Sequence, residues 1–321
     1  MTRVTVWIVL IALGGVSLAV VQAQQPGQPV REIQHVEDNL YFIPASDRNT
    51  YEIGGYVPDD TVRTKTTGGN TAVWITDEGA VLVDTMNPGS GPELMAQVRS
   101  ITDKPVIMII NTHTHFDHTG SNTEFPASVQ FVAHENIRAS LAQTTCAPVT
   151  HCEAFQGDNA RFLPTRTFSE RMSLLDGPDR IDLYYFGRGH TDGDTFVVFP
   201  RVRAMHTGDM FQRKVMPFID AANGGGNALE FTQTLTRAVT MIEGVDTVIA
   251  GHNPTPLGWS DFEEYTEYYA EFVTSVQDAS RAGKTVDEAV TAYTPSDRYQ
   301  WYVADPERVK QNAESIYAST P

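Results

Sequence analysis

A chain of 321 residues, 41% hydrophobic and 20% charged, has the composition of a folded globular protein and not of a disordered one. Its 23 lysines and arginines face 40 aspartates and glutamates, a formal net charge of −17 that argues against a general nucleic-acid binder and against an anionic membrane surface as partner. Two cysteines exclude a disulfide scaffold and a four-cysteine zinc module.

The first residues have the pattern of an export signal: Thr2-Arg3 at the charged start, an apolar stretch from Val6 to Val20, and Val21-Gln22-Ala23 as a small-residue cleavage site. The apolar run is short for a membrane span, and no basic flank follows it. The expected organisation is a signal peptide over 1–23, a linker over 24–37, a main domain over 38–258 and a helical extension over 259–321 packed on it. The location is then periplasmic or secreted, with no membrane attachment after cleavage. In an oxidising compartment Cys146 and Cys152 are either a small-loop disulfide or two inert thiols, since spacing alone does not fix geometry.

Short β-branched or aromatic runs predict strands at Leu40–Ile43, Thr71–Thr76 and Ala80–Val83, the last ending on Asp84. The polar stretch from Ser46 to Asn70 between the first two, with Gly54-Gly55 and Gly68-Gly69, reads as a long loop or hairpin. Pro92–Ile101 carries Leu94, Met95, Val98 and Ile101 at helical spacing, and the continuous apolar run Val106–Ile110 reads as a buried strand. A strand at Val129–Ala133 and a helix at His134–Gln143 follow. Beyond the cysteines, strands are expected at Arg180–Phe186, Thr195–Phe199 and Val202–Met205, an amphipathic helix at Leu229–Ile242, and a last strand at Thr247–Ala250. The tail is helical: Ser260 with Glu263 and Thr285 with Glu288 read as capping boxes, and Asp305-Pro306 starts a third helix. The stripe Phe262, Tyr265, Tyr269, Phe272, Val276 reads as core packing, not a binding platform.

The chemistry is concentrated after strand ends. Asn111-Thr112-His113-Thr114-His115-Phe116-Asp117-His118 puts three imidazoles and a carboxylate within six positions. His113 and His115, two apart in an extended loop, point the same way and can share one metal ion, whereas Asp117 and His118 turn toward a neighbouring one. Downstream, His190, Asp209 and His252 each follow an apolar strand beside glycine, which lets backbone fold tightly around a ligand. His206 lies three before Asp209 on a strand and is expected to face away from the metals. His35, His134 and His151 have no motif and read as surface or structural residues.

Taken together, the H-x-H-x-D-H loop at His113 to His118, Gly-x-Gly-His-Thr at His190, Thr-Gly-Asp at Asp209, Gly-His at His252 and Val-Asp at Asp84 resemble the metallo-β-lactamase-fold metallohydrolases over most of residues 38–256. That resemblance implies an α/β fold, an αββα sandwich of two packed mixed sheets with helices outside, and two metals at one rim. It implies His113, His115 and His190 around the first metal, Asp117, His118 and His252 around the second, Asp209 bridging both, and Asp84 hydrogen-bonded behind the metal loop. Five imidazoles and two carboxylates suit two divalent ions, zinc first, with iron or manganese also compatible. Two such ions lower the pKa of a bridging water to give hydroxide, which would attack a carbonyl carbon. Asp117 would accept or relay a proton, and Lys214, in the loop after Asp209, is either a substrate-holding residue or a solvated lysine.

Asp209 also sorts the branches, because lactamases of this fold resemble one another in carrying Cys or Ser there. The chain is thus similar to the glyoxalase II and lactonase branches, although its tail lacks an evident basic cluster for a glutathione carboxylate. The expected activity is hydrolysis of a small lactone, ester, thioester or amide. The alternatives are a metallo-β-lactamase, or a metal-binding carrier or relay protein of a periplasmic oxidation system that binds without turnover.

Overall fold

The computed structural model describes residues 30–45 and 68–320. The expected signal peptide and most of the Ser46–Asn70 stretch lie outside them. Two β-sheets pack face to face, with helices on both outer faces. The first sheet runs in spatial order β1 (Gln34–Glu37), β2 (Leu40–Ile43), β3 (Thr71–Ile75), β4 (Ala80–Val83), β5 (Val106–Ile110), β6 (Gln130–His134) and β7 (Arg166–Phe168). Its first four strands are antiparallel, and β4 to β7 are parallel. The second sheet contains β8 (Arg171–Leu174), β9 (Ile181–Tyr184), β10 (Phe196–Phe199), β11 (Ala204–His206), β12 (Thr247–Ile249) and β13 (Leu257–Gly258), all antiparallel except the β11–β12 pair. This is the mixed αββα sandwich expected from the sequence.

The continuous apolar runs follow from burial on both faces. On β4, Val81 and Val83 join Trp74, Ile110, Val132, Val197, Phe199 and Ile249 between the sheets, while Ala80 and Leu82 face outward. There they meet Leu94 and Val98 of α1 (Gly91–Ile101) and Ile137 of α3 (Glu135–Leu141); the single-turn α2 (Phe116–Thr119) lies between these helices in sequence. On β10, Val197 and Phe199 point between the sheets, and Phe196 and Val198 point to the other helical layer. That layer contains α4 (Ala228–Met241), α5 (Trp259–Arg281), α6 (Val286–Ala292) and α7 (Pro306–Ser319). The expected stripe of α5, from Phe262 to Val276, is buried in it, as packing requires.

Several local expectations change. The strand β1 lies within the stretch expected as a linker, and it, β7, β8 and β13 add to the strands expected from the sequence. All four contain polar residues or are very short, and so carry no apolar run. The helix α5 starts one residue before Ser260, and its first turn is closed by Asp261 Oδ2, which accepts from Gly258 N at 2.9 Å, in place of the Ser260–Glu263 box. The Thr285–Glu288 box and the Asp305 cap form as expected. Cys146 and Cys152 are bonded, with Cα atoms 6.0 Å apart. No helix among the described residues is long and apolar enough to cross a membrane.

Candidate metal centre

The carboxyl ends of β4 and β5 and those of β11 and β12 meet at one rim of the sandwich. Chain leaving β5 stays extended through His113 and His115, then turns into α2 at Phe116. As the two-residue spacing demands, the His113 and His115 rings lie on one side, with centroids 4.8 Å apart, and His190 from the β9–β10 connection completes a group with them. The turn of α2 sends Asp117 and His118 to a second group with Asp209 and His252, which follow β11 and β12. His118 Nε2 lies 3.7 Å from Asp117 Oδ2 and 3.3 Å from Asp209 Oδ1. His252 Nε2 lies 3.5 and 3.2 Å from the same two oxygens. The other oxygen of Asp209 is 3.6 Å from His190 Nε2. Glycine permits this crowding: a Cβ on Gly69 would overlap the His118 ring, and one on Gly251 would overlap Asp209 Oδ1.

Four of the five imidazoles are each aimed by a hydrogen bond from the nitrogen that faces away from the group, which also selects the tautomer. His118 Nδ1 donates to Asp84 Oδ2 at 2.7 Å. Asp84 is held in turn by Thr112, whose backbone N–H and hydroxyl reach its two oxygens at 2.8 and 2.7 Å. His113 Nδ1 meets the same Thr112 hydroxyl at 3.0 Å. His190 Nδ1 donates to Phe218 O at 2.6 Å. His115 is reversed: its Nε2 meets Asp220 Oδ2 at 3.1 Å, and its Nδ1 faces His190 Nε2 at 3.0 Å. Asp84 itself sits at φ 67°, a left-handed conformation that aspartate tolerates better than most residues and that brings its carboxylate under the loop.

The electrostatics suit cations. Burial, reinforced by the adjacent His118, holds His113 well below its ordinary pKa, and burial with His115 brings His190 down to about 4. Both rings therefore present lone pairs at neutral pH. Burial would also lower His118, but Asp117, Asp209 and Asp84 outweigh it and raise that ring well above its usual value. Burial would raise Asp220, yet the hydrogen bond and charge of His115 bring it down to about 2. The Nε2 of His113 is fully buried and has no hydrogen-bond partner among the described residues, which is costly unless a Lewis acid takes its lone pair. Nitrogen and carboxylate donors converging in two groups, without thiolate, fit a pair of divalent ions.

The seven expected ligands thus come together, with Asp84 behind them. Lys214 does not join them: its ammonium lies 2.7 Å from Asp261 and 3.4 Å from Glu264, so its charge is met by α5. His206 faces away, accepting from Gly208 N and donating to Asn70 O. His134 caps α3 through Asn136 N and stacks on Tyr185, whereas His35 bonds Asp38 O and His151 lies 3.6 Å from Glu153. Two residues carried no sequence signal strong enough to single them out. Asp220, which aims His115, precedes Ala221-Ala222-Asn223, and only its turn bond from Asn223 N hints at a fixed carboxylate. Gln212 donates to Asp209 Oδ2 at 2.9 Å while its carbonyl accepts from His252 N.

A family model described as the metallo-beta-lactamase superfamily matches residues 66–252, more than half of the chain, and the chain belongs to that superfamily. Metallo-beta-lactamase type 2 of Elizabethkingia meningoseptica is 23% identical over 286 residues, which cover 86% of this chain and 97% of that protein. The 2,4-dinitroanisole O-demethylase subunit alpha of Nocardioides sp. (strain JS1661) is 33% identical over 138 residues, 41% of this chain and only 38% of that subunit. A double mutant of the sec-alkyl sulfatase PisA1 shares the fold, with a TM-score of 0.60 at 14% identity over 90% of this chain and 50% of the sulfatase chain. Fold and ligand groups together are those of a metal-dependent hydrolase of this superfamily, with a binuclear metal-binding architecture.

Proposed function

We propose that the protein is an exported, binuclear metal-dependent hydrolase of a small carbonyl substrate, a lactone, ester, thioester or amide, in the branch where Asp209 bridges the two ions. The observation that carries this reading is the split of the Asp209 carboxylate. One oxygen is 3.3 and 3.2 Å from His118 and His252, and the other is 3.6 Å from His190. His113, His115 and His190 would hold one ion, and Asp117, His118 and His252 the other, zinc being the first choice and iron or manganese alternatives. Two bound ions would supply hydroxide at neutral pH and a Lewis acid for the carbonyl oxygen. Asp117 is the exposed member of the set, its side chain 15% accessible, and its Oδ2 is the atom that would accept a proton during attack. Asp84, Asp220 and Phe218 O keep the imidazoles aimed, so that little reorganisation is left for the reacting state. Export is supported by the leader pattern and by the Cys146–Cys152 bond, which belongs to an oxidising compartment.

A β-lactamase is the second reading, favoured by the near full-length likeness to the Elizabethkingia meningoseptica enzyme. Metal analysis of the mature protein, with turnover on lactones, esters, thioesters, a β-lactam and 2,4-dinitroanisole, separates the readings. Two metal equivalents with lactone or ester turnover are expected. Fast β-lactam turnover alone would move the assignment to the second reading, and stoichiometric binding without turnover would make the protein a carrier.

A further inference from the structure

We propose that Arg308 and Asn312 of α7 are positioning residues for the first ligand group, acting through the 212–220 connection. Both are buried, each only 2% exposed, on a helix face otherwise formed by Val309, Ala313 and Ile316. Four residues apart, they project from the same side of the helix. Arg308 Nη1 donates to Met216 O at 3.2 Å, and Asn312 Nδ2 donates to Pro217 O at 3.0 Å. The next carbonyl, Phe218 O, is the one that aims His190. Two residues further, Asp220 aims His115 with its side chain, and its backbone N–H donates to His190 O at 2.9 Å.

The connection therefore runs between two sets of constraints. On one side it is tied to the helical layer, by Arg308 and Asn312 and by the backbone bond from Met216 N to Val303 O at 2.8 Å. On the other it fixes two of the three imidazoles of one group. The other group meets the connection at its start, where Gln212 donates to Asp209 Oδ2 and accepts from His252 N, while the His118 ring is held from the opposite side by Asp84. A buried guanidinium and a buried carboxamide spent on consecutive carbonyls of an irregular segment are not what core filling requires, since leucine or methionine would pack an apolar helix face without polar groups to satisfy. Displacement of Phe218 O and Asp220 by a few tenths of an ångström would turn both imidazoles at once.

The inference rests on the reading of His113, His115 and His190 as ligands of one ion, and its test keeps the two separable. Metal-stripped mature protein is titrated with Co²⁺ and followed by absorption, with His190→Ala and His252→Ala identifying which step belongs to which group. Arg308→Met with Asn312→Leu keeps volume and removes the donors. The expected result is a first-group step weakened about 10–100-fold, the range for groups that orient ligands, with the second-group step weakened less. Arg308→Lys should recover part of the loss. Unchanged affinity at both steps, or equal weakening of both, overturns the proposal. If the double variant does not fold, Asn312→Ser, which removes one hydrogen bond and little volume, is read the same way. Absence of any saturable Co²⁺ step in the unsubstituted protein would instead overturn the underlying reading of the ligands.

Discussion

His118 and Asp84 form a buried pair in which the imidazole Nδ1 is 2.7 Å from the carboxylate, leaving Nε2 directed at Asp117, Asp209 and His252. The carboxylate is in the same way fixed by two bonds from Thr112, so the ring has a rigid support reaching back to the ends of β4 and β5. Asp84→Asn would place an amide against Nδ1 and favour the wrong tautomer. Metal affinity of the second group should fall about 10–100-fold, as measured by competition with a chelator. An unchanged chelator midpoint would show that Asp84 only shapes the turn.

His115→Ala and Asp117→Ala should each reduce hydrolysis below detection while the protein remains folded, because the core between the sheets includes neither side chain. Circular dichroism and turnover on the same preparations check both halves of this expectation. Full activity in either variant would remove the loop from the mechanism, whereas loss of folding would make the metal structural.

Asp209→Ser tests the bridge. It leaves Asp117, His118 and His252 for one ion and removes the contact to His190, so metal retention should drop by more than about 100-fold, beyond what orienting groups cause. Ester or lactone hydrolysis should fall with it, and any β-lactam turnover should fall less. Equal metal content and equal ester turnover in the variant would return the β-lactamase reading to first place.

Acid should destabilise the metal-free protein between about pH 6.5 and 4. Burial holds His190 and His206 at about 4, below the 6.5 of an unfolded chain. Between those values the unfolded state binds protons that the folded state refuses, so stability is present above pH 6.5 and is lost as pH falls toward 4. His118, with its raised value, and Asp194, which burial pushes up to about 7, work in the opposite sense and are outnumbered by His190, His206, His113 and His134, all lowered by burial. Urea unfolding at a series of pH values should show net proton uptake on unfolding in this window. His206→Gln, away from the metal groups, should reduce that uptake by about one proton.

Removing the Cys146–Cys152 bond should cost roughly 2 kcal/mol, the loop-closure entropy of so short a loop. Val149, within it, accepts from Phe116 N at 2.8 Å beside the metal loop, so the serine variants should also show faster amide exchange at Phe116. Wild-type stability and exchange after reduction would show that the loop is held by packing alone.

The sequence made visible those features that repeat or cluster. Doubly buried strands announce themselves as apolar runs, as in Val106–Ile110, and the His113–His118 loop concentrates its chemistry in six positions. Edge strands such as Arg171–Leu174 alternate polar and apolar residues and carry no comparable signal. Asp220 carries no such signal because its role comes from what a distant segment brings to it: His115 lies 105 positions before it. The partners of Lys214, Asp261 and Glu264, are illegible for the same reason: they lie on a helix that only the tertiary fold brings alongside.

The two ligand groups draw from both sheets: His113, His115, Asp117 and His118 follow β5 of the first, while Asp209 and His252 follow β11 and β12 of the second. Backbone bonds cross the same seam, from Thr195 N to Thr112 O at 2.8 Å and from Asn70 N to Gly251 O at 2.7 Å. Neither half of the chain can assemble the whole centre: His113, Asp117 and His118 group within the first half, but the pair of ions would be fully held only after the halves have docked. By mass action the ions would then stabilise the docked state over partly assembled ones. Chelation should accordingly accelerate separation of the sheets, and protease sensitivity should appear at the seam before either sheet's own hydrogen bonds are lost.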